Sequence, residues 1–89
     1  MNAPLVIATI AKNSREMVRI ALDEFRGVKL VDIRVMAQMN DPSGQSVPTK
    51  KGISLRIELL GELIAALRNA EAEAQRLGLR VDASEDERR

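Results

Sequence analysis

The sequence predicts an α+β domain in which four antiparallel strands are followed by one long helix. Three observations carry this reading. Up to residue 55, runs rich in β-branched residues alternate with short polar or glycine-containing breaks. Beyond it the apolar residues recur at steps of three and four. A glycine stands where that second pattern stops.

The first two strands are expected near 4–12 and 16–24. Val6, Ile7, Ile10, Val18, Ile20 and Leu22 favour extended structure, and Lys12-Asn13-Ser14-Arg15-Glu16 between them reads as a turn. Arg26-Gly27 then separates two strand-like runs at hairpin spacing, with glycine supplying the positive φ that tight hairpins require. In the third strand, 28–37, alternation puts Val31, Ile33 and Val35 on one face and Leu30, Asp32, Arg34 and Met36 on the other. Asp41-Pro42-Ser43-Gly44 fits a type I turn, after which a fourth strand, 47–55, pairs back onto the third.

Leu60, Leu63, Leu67, Ala70, Ala74 and Leu77 form a heptad-like stripe through residues of high helix propensity, predicting a helix over 57–77 that Gly78 caps. One domain over 4–78 results, with 79–89 expected to be a disordered charged tail. A chain of 89 residues buries a small core, and without Cys or His it has neither a disulfide nor the usual zinc ligands to reinforce it. A homodimer is therefore expected, with Leu60, Leu63, Leu67 and Ala70 at its interface and Ile57 and Ile64 off that seam. The same stripe could instead cover the sheet of its own chain.

The absence of His and Cys removes the commonest general base, the thiol nucleophile and the usual zinc site, so no enzyme, metal or cofactor is expected. The spacing of Gly44 and Gly52 does not match a phosphate-binding loop, and residues 40–44 lack the alternating oxygen ligands of a calcium loop. The apolar run 3–10 is too short to span a bilayer and has no basic lead, which implies an intracellular protein without a membrane partner.

Charge is more informative. Residues 1–56 hold nine Lys/Arg against five Asp/Glu, a balance of +4, whereas 57–89 hold five against eight, a balance of −3. Lys12, Arg15, Arg19, Arg26, Lys29, Arg34, Lys50 and Lys51 all lie in the strand half, and several can align opposite Val31 and Ile33. A local polyanion-binding face is the functional reading. Lysines on an edge strand that merely discourage edge-to-edge pairing are the competing one.

The blocks Phe25-Arg26-Gly27, Val31-Asp32-Ile33-Arg34, Asp41-Pro42-x-Gly44 and Pro48-x-Lys50-Lys51-Gly52-Ile53-Ser54-Leu55 resemble the positive cofactor 4 family of single-stranded-DNA-binding transcriptional coactivators. The resemblance spans about residues 10–70. It implies a strongly curved four-stranded sheet, a C-terminal helix, and a homodimer whose sheets form channels for unwound DNA. It puts DNA contacts at Phe25 and Arg26 in the hairpin turn, at Arg34, and at Lys50 and Lys51, and Gly52 would complete the binding site by letting the backbone approach the strand closely. Phosphates would be neutralised by Arg34, Lys50 and Lys51, and a base would stack on Phe25.

Where that family has aromatics after Asp-Ile-Arg, this chain has Val35-Met36-Ala37-Gln38-Met39, and Phe25 is its only aromatic residue. Binding is therefore expected to be more electrostatic. Lys29 stands one place later than the family's lysine, which turns it toward the other face. The functional expectation is sequence-tolerant binding of single-stranded DNA by a homodimer in transcription regulation or DNA maintenance, with transcription machinery as a further partner. Its site would be the nucleus of a eukaryote or the cytoplasm and nucleoid of a bacterium. A protein-interaction or dimerisation module, and a binder of single-stranded RNA, are the alternatives.

Overall fold

A computed structural model describes residues 3–39 and 43–81 and contains the expected elements in the expected order. Strands β1 (Leu5–Ala11), β2 (Glu16–Phe25), β3 (Val28–Gln38) and β4 (Ser46–Arg56) form one curved antiparallel sheet in the order β1-β2-β3-β4. A 3₁₀ turn, Ile57–Leu59, leads into the helix α1 (Leu60–Arg76). The helix thus begins three residues later than the expected start at 57, because the Leu60 N–H bonds to Ile57 O in the tighter i, i+3 pattern.

Local chemistry explains each turn. Between β1 and β2, Asn13 Oδ1 accepts the N–H groups of Arg15 and Glu16 at 2.9 and 2.8 Å, while the Lys12 and Asn13 N–H groups donate to Glu16 O. Arg26 and Gly27 both have positive φ, 51° and 80°, the type I′ geometry whose twist matches its flanking strands. Gly44 also has positive φ, and Met39 N–H closes the β3–β4 connection onto Gln45 O at 2.6 Å. Asp41 and Pro42 of the expected turn lie outside the described residues, as do 82–89 of the expected tail. The helix ends as anticipated at Gly78 (φ 78°), where Leu79 N–H reaches Ala74 O and Gly78 N–H reaches Gln75 O in a Schellman motif.

The ladder is broken in two places. In β1, Ile7 is an extra residue between the pairs Val6↔Ala21 and Ala8↔Ile20. In β4, register is lost between Arg34↔Gly52 and Met36↔Pro48, so Thr49, Lys50 and Lys51 together oppose Val35 alone. Thr49 fills this gap: its Oγ1 donates to Val35 O at 2.8 Å and accepts Lys51 N–H at 3.1 Å. Gly52 closes the bulge at φ 146°.

Strand alternation sorts the sheet into an apolar face (Val18, Ile20, Leu22, Val31, Ile33, Val35, Ile53, Leu55) and a polar one (Arg19, Asp32, Arg34, Ser54 and, apolar themselves, Ala21 and Met36). Among the described residues only Ala21, Val31, Met36 and Asp32 are buried. Helix α1 meets its own chain chiefly through the 3₁₀ turn at its base and does not lie along the sheet. Ile53 on the apolar face is 49% exposed and Leu67 on the helix 59%. The radius of gyration is 15.1 Å, against about 12 Å for a compact chain of this length.

The bulge makes a strict demand on Gly52. A Cβ there would lie 2.3 Å from Ile33 O and 2.9 Å from Arg34 Cα, both backbone atoms, whereas a Cβ at Gly27 would meet nothing within 4 Å. Gly27→Ala should cost about 1 kcal/mol, the ordinary penalty of the left-handed region. Gly52→Ala should exceed about 3 kcal/mol, since backbone strain and steric overlap combine. Urea denaturation of the two variants measures the difference, and equal midpoints would show that the bulge tolerates a side chain.

Candidate nucleic-acid interface

On the polar face, register places Arg19 directly opposite Arg34 and Asp32 directly opposite Ser54. Like charges facing each other across a ladder repel. Here Asp32 lies between them: its Oδ1 accepts from Arg34 Nη2 at 2.8 Å and its Oδ2 from Arg19 Nη2 at 3.4 Å. Ser54 Oγ donates to Oδ1 at 2.6 Å. Burial pushes the Asp32 carboxyl up, but the hydrogen bonds from Arg34, Ser54 and Arg19 outweigh it and hold the group below its ordinary range.

Arg34 also spans to β4. Its Nη1 donates to Thr49 O at 3.4 Å and to Lys50 O at 3.3 Å, the carbonyls of the bulge. The bulge carries Lys50 and Lys51 at the rim of the sheet, where Lys50 has no ion-pair partner among the described residues. Lys51 Nζ lies 3.9 Å from Glu16 Oε2, and Lys12 Nζ lies 3.0 Å from Oε1 of the same carboxylate. Hydrogen bonds from Asn13, then Lys12, hold Glu16 below its usual value. Arg15, exposed in the β1–β2 turn, borders a shallow depression shared with Asn13, Glu16 and Gln38.

At the other end of the polar face the type I′ turn presents Phe25, 61% exposed, with Arg26 Cζ 5.0 Å from its ring centroid. This is a cation–π pair on an exposed platform. Arg26 holds a left-handed backbone without being glycine, a strained conformation of the kind that gathers at functional sites. The structure therefore places Phe25, Arg19 and Arg34 on one face, with Lys50, Lys51 and Gly52 beside Arg34, with Lys12 and Lys51 sharing the Glu16 carboxylate, and with Arg15 beside Glu16 in the β1–β2 turn. Lys29 lies apart on the opposite face, paired with Glu24 at 3.0 Å.

Three contributors were not singled out as site residues from sequence: Thr49, Ser54 and Glu16. Only Ser54 left a signal, since a hydroxyl two places beyond Gly52 falls opposite Asp32 once the register is known.

Residues 12–66 match the model of the family described as Transcriptional Coactivator p15 (PC4). The chain is similar to the RNA polymerase II transcriptional coactivator SUB1 of Saccharomyces cerevisiae, 36% identical over 78 residues, a match that covers 88% of this chain and 25% of the yeast protein. It thus spans a quarter of that relative's length. Among solved structures it is similar to a PC4 homolog from Burkholderia pseudomallei. The tetragonal crystal form gives a TM-score of 0.69 at 36% identity, covering 78% of this chain and 98% of that one. The orthorhombic form gives 0.69 at 35%, covering 80% and 93%.

Because the Asp32 carboxyl titrates lower in the folded chain than in the unfolded one, its stabilisation is present above its unfolded pKa, about 4, and is lost as pH falls through the folded value. The melting temperature should hold from neutrality to about pH 5 and fall below about pH 4. Asp32→Asn should lower stability at pH 7 by about 3 kcal/mol, as removal of one buried charge leaves two facing arginines unneutralised, and should flatten the acid limb. Melting curves at several pH values would give the same acid limb in both proteins if Asp32 were not the group responsible.

Proposed function

We propose, for a chain that belongs to the Transcriptional Coactivator p15 (PC4) family, that the polar face of its sheet binds single-stranded DNA with little sequence preference. The observation that carries this is the arrangement along that face. An exposed aromatic ring under a guanidinium stands at one end, and the Lys50–Lys51 bulge stands about 23 Å away at the other, seven residues along β3 from Val28 to Val35. A ring that stacks on any base and cations that meet any phosphate give affinity without base reading. The role is binding and not catalysis, in transcription regulation or DNA maintenance, and needs no cofactor. Transcription machinery as a partner is supported by the name of the yeast relative. The chain would act where the chromosome is, and among the described residues no helix is long and apolar enough to cross a membrane.

The binding unit is a homodimer. Leu67 and Ala70 are exposed and Leu60 and Leu63 half-buried on α1, and the apolar face of the sheet is also open, with Ile10 and Ile53 about half exposed. Apolar surface of this extent is covered in stable proteins, and a second copy is the cover that the small core calls for. Sedimentation of a Leu67→Glu variant should show monomer or unfolded chain in place of dimer; an unchanged dimer would move the interface off the helix.

Titration of an unstructured deoxyoligonucleotide, of its duplex, and of the RNA of the same sequence tests the binding reading. The single strand should bind more tightly than the duplex, with log affinity falling against log salt at about −0.7 per phosphate contact, or about −3 if Arg15, Arg26, Lys50 and Lys51 engage one each. Phe25→Ala should weaken binding by about 1–3 kcal/mol, the worth of one stacked base. Equal affinity for duplex, or none at moderate salt, would favour the interaction module instead. Tighter binding of the RNA would move the function to that polymer.

A further inference from the structure

We infer that Arg34 is a positioning residue and not a phosphate contact: its guanidinium locks the three-residue bulge that holds Lys50 and Lys51 against the strand-binding face. The inference rests on the proposed function for its effect on affinity, and on geometry alone for the lock itself.

An arginine has five N–H donors. In Arg34 four are directed into the protein: Nη2 toward Asp32 Oδ1 and Ser54 Oγ, Nη1 toward the carbonyls of Thr49 and Lys50. Only the Nε–H is left, and the side chain is 21% exposed. A phosphate would have to displace the Asp32 carboxylate or the bulge carbonyls to gain a bidentate grip. Lys51, by contrast, is 72% exposed and Lys50 is exposed.

The lock is needed because the bulge lacks a regular ladder. Thr49, Lys50 and Lys51 have one residue, Val35, opposite them, so their backbone groups find partners elsewhere. The Thr49 hydroxyl ties the N–H of Lys51 to the carbonyl of Val35. Arg34 donates to two of the bulge's carbonyls, those of Thr49 and Lys50, while its other terminal nitrogen is held by Asp32 and Ser54. Each bond to the bulge is long and both come from Nη1, but the planar guanidinium joins that nitrogen rigidly to the Nη2 held by Asp32 and Ser54, so one group spans both sites, which a lysine ammonium cannot do.

The test is a double-mutant cycle. Arg34→Lys keeps the charge and loses the fork. It should weaken single-stranded DNA binding about tenfold, on the order of one or two lost net hydrogen bonds. In a Lys50→Ala/Lys51→Ala background it should have less than about a twofold effect, because a residue that acts through the lysines has nothing left to position. Arg34→Gln, which shortens the side chain and loses the fork while the Thr49 hydroxyl bridge stays in place, should repeat the pattern and serves if Arg34→Lys does not fold.

Amide hydrogen exchange provides a readout without DNA: in either variant the Lys51 amide should exchange faster while the amide of Ile20, in the β2–β3 ladder, keeps its protection. Equal losses in both backgrounds would make Arg34 a contact independent of the lysines, and native affinity in Arg34→Lys would show that the fork does not act on binding; either overturns the inference. Unchanged Lys51 exchange would overturn it as well. If the native protein bound no single strand, the functional reading would fall, and the exchange measurement would still decide the lock.

Discussion

Two arginines face each other across the centre of the sheet, and the carboxylate of Asp32 is what makes that tolerable. Without it the pair Arg19↔Arg34 would bring two cations together at a half-buried position, where they are screened less than at a surface. With it, one oxygen serves each arginine and Ser54 completes the site. Asp32 also orients Arg34, Arg34 in turn reaches the bulge of β4, and the bulge sets where Lys50 and Lys51 stand. A buried anion thus organises a face whose outward charge is positive.

The other side of the sheet obeys a different constraint. Its residues are as apolar as those of an ordinary core, yet among them Val31 is buried while Ile53 and Ile10 stay about half exposed. The cause is α1, which leaves the sheet through the 3₁₀ turn at Ile57–Leu59 and carries its leucines away from it. A strand pattern and a helix pattern that each call for burial, and do not bury each other, leave apolar surface on both elements that the proposed second copy would cover. The cation-rich face and the apolar face are opposite sides of one ladder, so self-association need not compete with the proposed binding of DNA.

What could be read from the chain without a structure follows the range of the interactions. The four strands, the Arg26-Gly27 hairpin and the Gly78 cap depend on neighbours in sequence, through alternation, positive φ and helix period, and these were legible. Alternation alone also put Lys29 on the face away from Arg34. The bulge was not legible: Pro48-Thr49-Lys50-Lys51 has the look of a regular strand, and the loss of register exists only relative to Val35, fourteen residues earlier. For the same reason Arg34 read as an available cation, when its partners at Thr49, Lys50 and Ser54 are all contributed by β4. The course of α1 depends on one 3₁₀ turn, which lies inside the helix expected over 57–77 and leaves no mark in the apolar stripe that starts at Leu60.

The ion pairs of this face differ in how easily a phosphate could enter them, and that ranks the cations. Lys51 and Glu16 are 3.9 Å apart, with the lysine largely in water, and such a pair contributes little, so exchanging Glu16 for a phosphate oxygen costs little. Arg34 and Asp32 are 2.8 Å apart with the carboxylate nearly buried, and opening that pair would strand a charge. Phosphates would therefore be drawn to the rim, to Lys50 and Lys51 at one end and Arg26 at the other, and the centre would stay closed. With Phe25 the only ring in the chain, stacking is confined to the Arg26 end. A strand lying between these ends would be held at its phosphates more than at its bases, which is the physical meaning of binding without sequence preference.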